Sequence, residues 1–162
     1  MSRLPDSAPD NAGAAFAHIN AVVSPTLDDL KLMVFLEASG LPAYYDLAKT
    51  APNDQMRTLL EANGREELAH AHRVAKVIKL LSGEDFPPPA AEENPYVSAS
   101  SRPVSRTLLE SIVAAETGGC SLYETWAAHI GHEEAAGLLR QNGREEIRHG
   151  ERAAEAIALL DG

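Results

Sequence analysis

The chain has 162 residues, a formal net charge of −10 at pH 7 and only 5% aromatic residues. This length suits one domain with a substantial core, and the abundance of Ala, Leu and Glu favours helices over strands. The acidic balance argues against a nucleic-acid-binding protein, because phosphate neutralisation needs a basic surface, and no apolar stretch approaches the roughly 18 residues of a membrane span.

Residues 1–24 are rich in Ala, Asp, Pro and Ser and predict a flexible N-terminal arm, with at most a short helical turn at 14–19. A bundle of helices is predicted over 25–162, and its first helix should be capped by Thr26 or Asp28. Prolines, glycines and apolar periodicity set the other boundaries. The four predicted helices span 26–51, 52–81, 105–130 and 132–160.

A proline-rich linker over 83–104 separates two predicted helical hairpins, 26–82 and 105–161. So long a loop inside a compact domain usually has a structural reason. If a two-fold axis relates the hairpins, the second and third helices run in the same direction, and the linker must cross the bundle. About 22 extended residues span roughly 70 Å, which is ample for a helix about 36 Å long. The sequence predicts an all-α four-helix bundle with one long crossover; up-down-up-down order is the alternative.

A glutamate followed thirty residues later by Glu-x-x-His occurs twice, and the two copies are offset by 79 positions. Both copies also contain the pentapeptide Asn-Gly-Arg-Glu-Glu and a tyrosine seven residues after the first glutamate. Helical geometry brings the four glutamates to one level of the bundle, with each histidine on the same face as its glutamate. The residues are Glu37, Tyr44, Glu67 and His70 in the first copy, and Glu116, Tyr123, Glu146 and His149 in the second.

Four carboxylates and two imidazoles facing one core form the ligand set of a two-metal site. Two divalent cations would cancel the four negative charges, and without metal we expect the carboxylate pKa values to rise. Mixed oxygen and nitrogen ligation favours two iron ions, with manganese as the alternative and zinc as a further option. A duplication that keeps these residues without binding metal is the competing interpretation.

The register of the second helix admits two candidate glutamates, Glu66 and Glu67. Seven residues further on, Glu67 meets Val74 whereas Glu66 meets Arg73. We therefore assign Glu67 to the interior and Glu66 to a solvated stripe. The equivalent residues of the second copy are Glu146 with Ala153 and Glu145 with Arg152.

Tyr44 and Tyr123 should share the inward face of the metal ligands. A buried tyrosine hydroxyl needs a partner, and the carboxylates of the opposite hairpin are within reach, so we assign both tyrosines a role beside the metals; core packing is the alternative. Asn63 and Asn142 precede helix-interior glycines, which cost about 1 kcal/mol relative to alanine. They indicate close helix contact or hydrogen bonds to the ligands, or simple inheritance from a duplicated ancestor.

Over residues 27–160 these motifs resemble the ferritin-like di-iron carboxylate superfamily and, within it, its rubrerythrin-like branch. The resemblance implies that Glu37 and His70 bind one iron and that Glu116 and His149 bind the other. Glu67 and Glu146 would bridge the two ions.

The resemblance also implies that the reduced iron pair reacts with hydrogen peroxide or O2. Gly119 stands where rubrerythrins carry an additional carboxylate, and Gly40 is its equivalent in the first copy; we expect both glycines to leave room beside the metals. Cys120 is the only cysteine, so the chain has no rubredoxin-like centre, and a separate electron-donor protein is expected. The single cysteine and the absence of an apolar signal segment in residues 1–13 predict a cytoplasmic protein.

The predicted function is therefore that of a di-iron oxidoreductase, a peroxidase or an oxidase. The first alternatives are a di-iron hydroxylase and a ferroxidase or iron-storage protein, and the others are a di-manganese catalase and a non-enzymatic bundle. A homodimer is one option for the oligomeric state.

Overall fold

The computed structural model describes residues 2–98 and 102–161, and within these ranges it is all-helical, without strands. None of the described helices combines the length and the apolar character that crossing a membrane requires. The elements in chain order are α1 (Ala12–Ala21), α2 (Leu27–Ala48), α3 (Asp54–Ser82), a 3-10 helix (Ala91–Glu93), α4 (Arg106–His129) and α5 (Glu133–Asp161).

Side-chain caps fix where the bundle helices begin. Thr26 caps α2 in a reciprocal capping box with Asp29, so Thr26 and not Asp28 is the cap. The Asn53 side chain accepts a hydrogen bond from the backbone at the start of α3, and Ser105 does the same for α4. Helix α3 ends at Gly83, whose φ of 76° is the left-handed conformation that glycine adopts without steric cost.

The four long helices form two hairpins, α2 with α3 and α4 with α5, and the hairpins pack together through α3 and α5. Asn63 donates to the backbone carbonyl of His149, and Asn142 donates to that of His70. These reciprocal bonds require α3 and α5 to be antiparallel. Helices α3 and α4 consequently run in the same direction, which confirms the long crossover and excludes up-down-up-down order.

Two apolar clusters occupy the ends of the bundle. One is built around Leu36, Val77 and Trp126, and the other around Met56 and Leu109. On each of the four helices the predicted metal ligands lie between these clusters in sequence. A layer of buried polar side chains thus separates two apolar cores.

The N-terminal segment, for which the sequence predicts a flexible arm with one short turn, is packed on the bundle. Helix α1 has ten residues, and its Ala15 and Ile19 are fully buried in the first apolar cluster. The indole of Trp126 donates to the carbonyl of Val22. The linker contributes as well, because Tyr96 donates to the carbonyl of Pro9. The prediction missed these contacts because the partners are remote in sequence.

Candidate metal centre

The structure brings the six predicted metal ligands together in the core, one glutamate from each long helix and one histidine from each of α3 and α5. Both histidines are fully buried, and the four glutamates are between 4% and 9% exposed. Side chains of this charge are almost never so buried without partners. The six residues are Glu37, Glu67, His70, Glu116, Glu146 and His149.

Four of these residues form the centre of the site. Each of Glu67, His70, Glu146 and His149 offers one ligand atom, and these atoms lie within 4.8 Å of one another. The two imidazole rings are stacked, with centroids 5.0 Å apart and planes inclined by 14°. The pairing of α3 with α5 therefore creates a compact set of two oxygen and two nitrogen donors.

The other two glutamates flank this centre on opposite sides. The Oε2 atom of Glu37 lies 3.5 Å from Nδ1 of His70, and that of Glu116 lies 3.6 Å from Nδ1 of His149. The second oxygen of each carboxylate accepts a hydrogen bond from a tyrosine of the other hairpin. Tyr123 donates to Oε1 of Glu37, and Tyr44 donates to Oε1 of Glu116.

The unsatisfied atoms of the centre test whether it suits a metal pair. Nδ1 of His70, Nδ1 of His149 and Oε2 of Glu146 are buried and have no hydrogen bond of acceptable geometry, although carboxylate oxygens lie 3.1 to 3.6 Å from the two Nδ1 atoms. Buried polar atoms are normally satisfied, and an unpaired one indicates strain, function or a ligand that the site is built to hold. All three atoms are metal-ligand types and face the same small volume, so the donor set fits a di-metal centre.

Burial and mutual charge separate the four carboxylates into two kinds. Burial and the charge of Glu37 raise the pKa of Glu67 well above its ordinary value, and burial raises the pKa of Glu146 to about 7. Burial would also raise the other two, but the adjacent imidazoles reverse the shift and lower the pKa values of Glu37 and Glu116. The expectation that all four values rise is therefore wrong for these two residues.

The histidines show the complementary effect. Burial opposes their positive charge, but the carboxylates around them outweigh it. The pKa of His70 rises to about 11 beside Glu146 and Glu37. The pKa of His149 rises to about 12 beside Glu116 and Glu146. A cluster of four carboxylates without metal thus holds protons on the imidazoles, where cations would replace them.

The assignment to a solvated stripe is wrong for Glu145 and holds only in part for Glu66, whose side chain is 25% exposed. Glu145 is buried, and its Oε2 lies 3.1 Å from Nε2 of His70. Glu66 lies at the same distance from Nε2 of His149. Arg73, whose charge favours a solvated stripe in the sequence, instead pairs with Glu145. The pentapeptide repeat contained this signal, since it repeats both glutamates and not only the inner one.

The helix-interior Asn-Gly pairs provide both hydrogen bonds to the two histidines and close contact between helices. The amides of Asn63 and Asn142 bond to the backbone carbonyls of the two histidines. A Cβ added at Gly64 would lie 3.0 Å from Cβ of Tyr44, and one at Gly143 would lie 3.2 Å from that of Tyr123. The glycines therefore let α3 and α5 approach the tyrosine-bearing helices closely.

Gly40 and Gly119 do not leave open space beside the site, contrary to the expectation. A Cβ at Gly40 would lie 2.6 to 2.8 Å from side-chain atoms of Glu67, and one at Gly119 would lie 3.3 Å from Cδ of Glu146. The side chains of the two central glutamates already fill these positions. Glycine at these two positions, in place of a carboxylate, thus makes room for the side chains of Glu67 and Glu146.

Comparison with known proteins agrees with this geometry. The family model described as Rubrerythrin matches residues 29–157. No curated protein and no solved structure matches the chain. The matched region contains all six predicted ligands and both tyrosines, and it confirms the resemblance seen in the sequence. The chain belongs to the rubrerythrin family, within the ferritin-like superfamily.

Proposed function

We propose that this protein is a di-iron oxidoreductase that reduces hydrogen peroxide or O2. The observation that carries the proposal is the buried cluster of Glu67, His70, Glu146 and His149, in which both Nδ1 atoms lack hydrogen bonds. Carboxylate-rich ligation with two imidazoles favours iron over softer metals, with manganese as the alternative.

In this proposal Glu37 and His70 would hold one metal and Glu116 and His149 the other, and Glu67 and Glu146 would be shared by both. Two iron ions would supply one electron each, so that one peroxide molecule with two protons yields two waters. The tyrosines orient the terminal carboxylates: each binds Oε1 and leaves Oε2 directed at the neighbouring imidazole. Burial and the nearby carboxylates raise the pKa of both tyrosines well above the ordinary value, so they remain protonated donors at neutral pH.

The burial of the centre favours a small oxidant. Glu37 is 7% exposed and Glu116 is 9% exposed, so a bulky organic substrate could not reach the metals without moving the helices. This argues for peroxide or O2 over the substrate of a di-iron hydroxylase. We assign re-reduction of the centre to a separate electron-donor protein, because electron transfer does not require the donor to enter the buried site.

Iron storage is the second candidate, because the same buried cluster of carboxylates and imidazoles would also suit the oxidation of bound Fe(II). The test is to load the protein with Fe(II) without oxygen, mix it with one equivalent of peroxide per iron pair, desalt it and measure iron. We expect peroxide loss at about one equivalent per pair with the iron retained. Uptake of many further iron atoms per chain would instead support storage, and a protein that binds no iron would contradict both.

A further inference from the structure

The imidazole of His70 contacts the other hairpin through Nε2, the nitrogen on the side away from the candidate metal centre. Its Nε2 lies 3.1 Å from Oε2 of Glu145 on α5. Arg73, one turn further along α3, donates to both oxygens of the same carboxylate, at 2.7 and 3.1 Å. A bidentate guanidinium–carboxylate pair is strong and fixed in geometry. Glu145 is therefore held in one orientation, with an oxygen on the Nε2 side of the ring.

An asparagine closes this arrangement into a ring of contacts. Arg73 also donates to Oδ1 of Asn142 at 2.9 Å, and the amide of Asn142 donates to the carbonyl of His70. The side chain and the backbone of His70 are thus both tied to α5. None of these bonds uses Nδ1, which remains directed at the metal centre.

The second half of the molecule repeats this set of contacts around His149. Nε2 of His149 lies 3.1 Å from Oε2 of Glu66. Arg152 donates to both oxygens of Glu66 at 3.0 Å and to Oδ1 of Asn63 at 3.1 Å. The same contacts in two copies 79 residues apart show that one arrangement serves both histidines.

We infer that Glu145 and Glu66 are positioning residues, each holding the Nε2–H of the histidine on the opposite helix so that Nδ1 is presented to the metal. The arginines Arg73 and Arg152 in turn hold the two carboxylates. An imidazole that donates from Nε2 has its lone pair on Nδ1, and such outer partners fix the orientation and strengthen the ligand. The inference rests on the proposed metal centre but is independent of which oxidant the centre reduces.

The two sets of contacts, one around each histidine, differ in their hydrogen bonds and in their exposure to water. Glu145 accepts a further hydrogen bond from Gln141, whereas residue 62, the equivalent in the first copy, is alanine. The side chain of Glu145 is 11% exposed and that of Glu66 is 25% exposed. Water can replace a lost contact more readily at Glu66, so changes at Glu145 should have the larger effect.

The experiment measures binding of Co(II) and Fe(II) by competition with a chelator, together with the visible absorption spectrum of the Co(II) form. The variants are Glu145→Ala, Glu145→Gln and Glu66→Ala. The matched control is Glu61→Ala, an α3 glutamate that faces Arg65 and is not among the contacts of either histidine. Melting of the metal-free proteins separates loss of fold from loss of affinity.

We expect Glu145→Ala to weaken one of the two metal sites by about 10- to 100-fold and to change the Co(II) spectrum. Glu66→Ala should weaken the other site by less, and Glu145→Gln, which keeps an acceptor oxygen, should retain part of the affinity. Glu61→Ala should bind as the wild type does. If Glu145→Ala does not fold, Arg73→Lys, which keeps the charge but loses the bidentate contact, carries the same test.

Unchanged affinities and spectra in folded Glu145 variants would overturn the inference while leaving the metal centre intact. Wild-type protein that binds no metal would overturn the inference together with the proposed function. Wild-type protein that binds two metals but does not reduce peroxide would contradict only the proposed reaction, and weaker metal binding by Glu145→Ala would still support the positioning role.

Discussion

The hydroxyl of Tyr44 on α2 donates to Oε1 of Glu116 on α4. The bond joins the two hairpins across the metal centre, and it holds one carboxylate oxygen while the other faces His149. Tyr123 and Glu37 form the equivalent bond in the opposite sense. The internal two-fold symmetry of the molecule therefore extends to the tyrosines that bind the two predicted terminal glutamates.

Replacing either tyrosine by phenylalanine tests this orientation. Tyr44→Phe and Tyr123→Phe each remove one hydrogen bond to a buried carboxylate, a loss of about 2 kcal/mol for a charged acceptor. We expect similar decreases in the free energy of unfolding, measured in denaturant with the fluorescence of Trp126, the only tryptophan. Peroxide turnover of the iron-loaded protein should fall in both variants.

Tyr45→Phe is the control, because Tyr45 is half-buried and, among residues 2–98 and 102–161, its hydroxyl accepts one long hydrogen bond, from Arg65 at 3.5 Å. That variant should match the wild type. Wild-type stability and turnover in both test variants would return the tyrosines to a packing role. A large loss of turnover in one alone would show that the oxidant approaches from one side.

The glycines beside the central glutamates give a graded prediction. A Cβ at Gly40 would overlap Glu67 at 2.6 Å, whereas one at Gly119 would approach Glu146 only to 3.3 Å. Gly40→Ala should therefore displace Glu67 and reduce metal loading, and Gly119→Ala should have a weaker effect. Metal content after anaerobic loading measures both.

Gly118→Ala is the matched control, because a Cβ there meets nothing within 4 Å. Alanine is favoured over glycine inside a helix by about 1 kcal/mol, so this variant should load fully and melt at an equal or higher temperature. Full loading of Gly40→Ala would show that Glu67 can move without leaving the metals.

Much of this architecture followed from one repeat. The 79-residue offset and the helix boundaries predicted the bundle, the crossover and the set of side chains that lie together, because helical geometry converts spacing into position. Contacts between remote segments could not be predicted in the same way. Glu145 looked solvated because Arg152 lies seven residues further along the same stripe. Only the packing of α3 on α5 brings Glu145 and Arg73 together as a partly buried pair.

The stability of the metal-free protein should depend on pH in both directions. Although burial opposes it, Arg152 lowers the pKa of Glu66 from 4.5 to about 2, so its contribution is present above pH 4.5 and is lost as the pH falls toward 2. Burial raises the pKa of Glu146 from 4.5 to about 7. The need to ionise this buried carboxyl therefore destabilises the fold as the pH rises from 4.5 toward 7. Protonated His70 and His149 stabilise the fold below pH 6.5, and this contribution is lost as the pH rises toward their pKa values of about 11 and 12. We expect the metal-free protein to be most stable at about pH 5.

Denaturant unfolding across the pH range measures this profile. Glu66→Gln should flatten the acid side, and Glu146→Gln should flatten the fall between pH 4.5 and 7. Bound metal should remove much of the loss at high pH, because the carboxylates and imidazoles are then ligands. Equal stability of the metal-free protein at pH 5 and pH 8 would count against a buried carboxylate cluster.

The last prediction concerns the coupling between the two metal positions. Glu37→Ala removes the proposed terminal ligand beside His70, and Glu116→Ala removes the one beside His149. Glu67 and Glu146 lie in contact with the central imidazoles and would be shared by both ions. Loss of one cation therefore removes positive charge that keeps these two carboxylates ionised as ligands of the other cation. Each variant should therefore bind less than one metal per chain at concentrations that give two in the wild type.

Elemental analysis after anaerobic Fe(II) loading and desalting gives this stoichiometry. The control is Glu110→Ala on α4, whose carboxylate is exposed beside Arg106 and should have no effect. Independent sites would give one metal in each variant, and two metals in both would show that neither terminal glutamate is a ligand. The coupled outcome is expected because burial raises the pKa values of the two central carboxylates, Glu67 and Glu146, so that both become stable anions at neutral pH only with cations beside them.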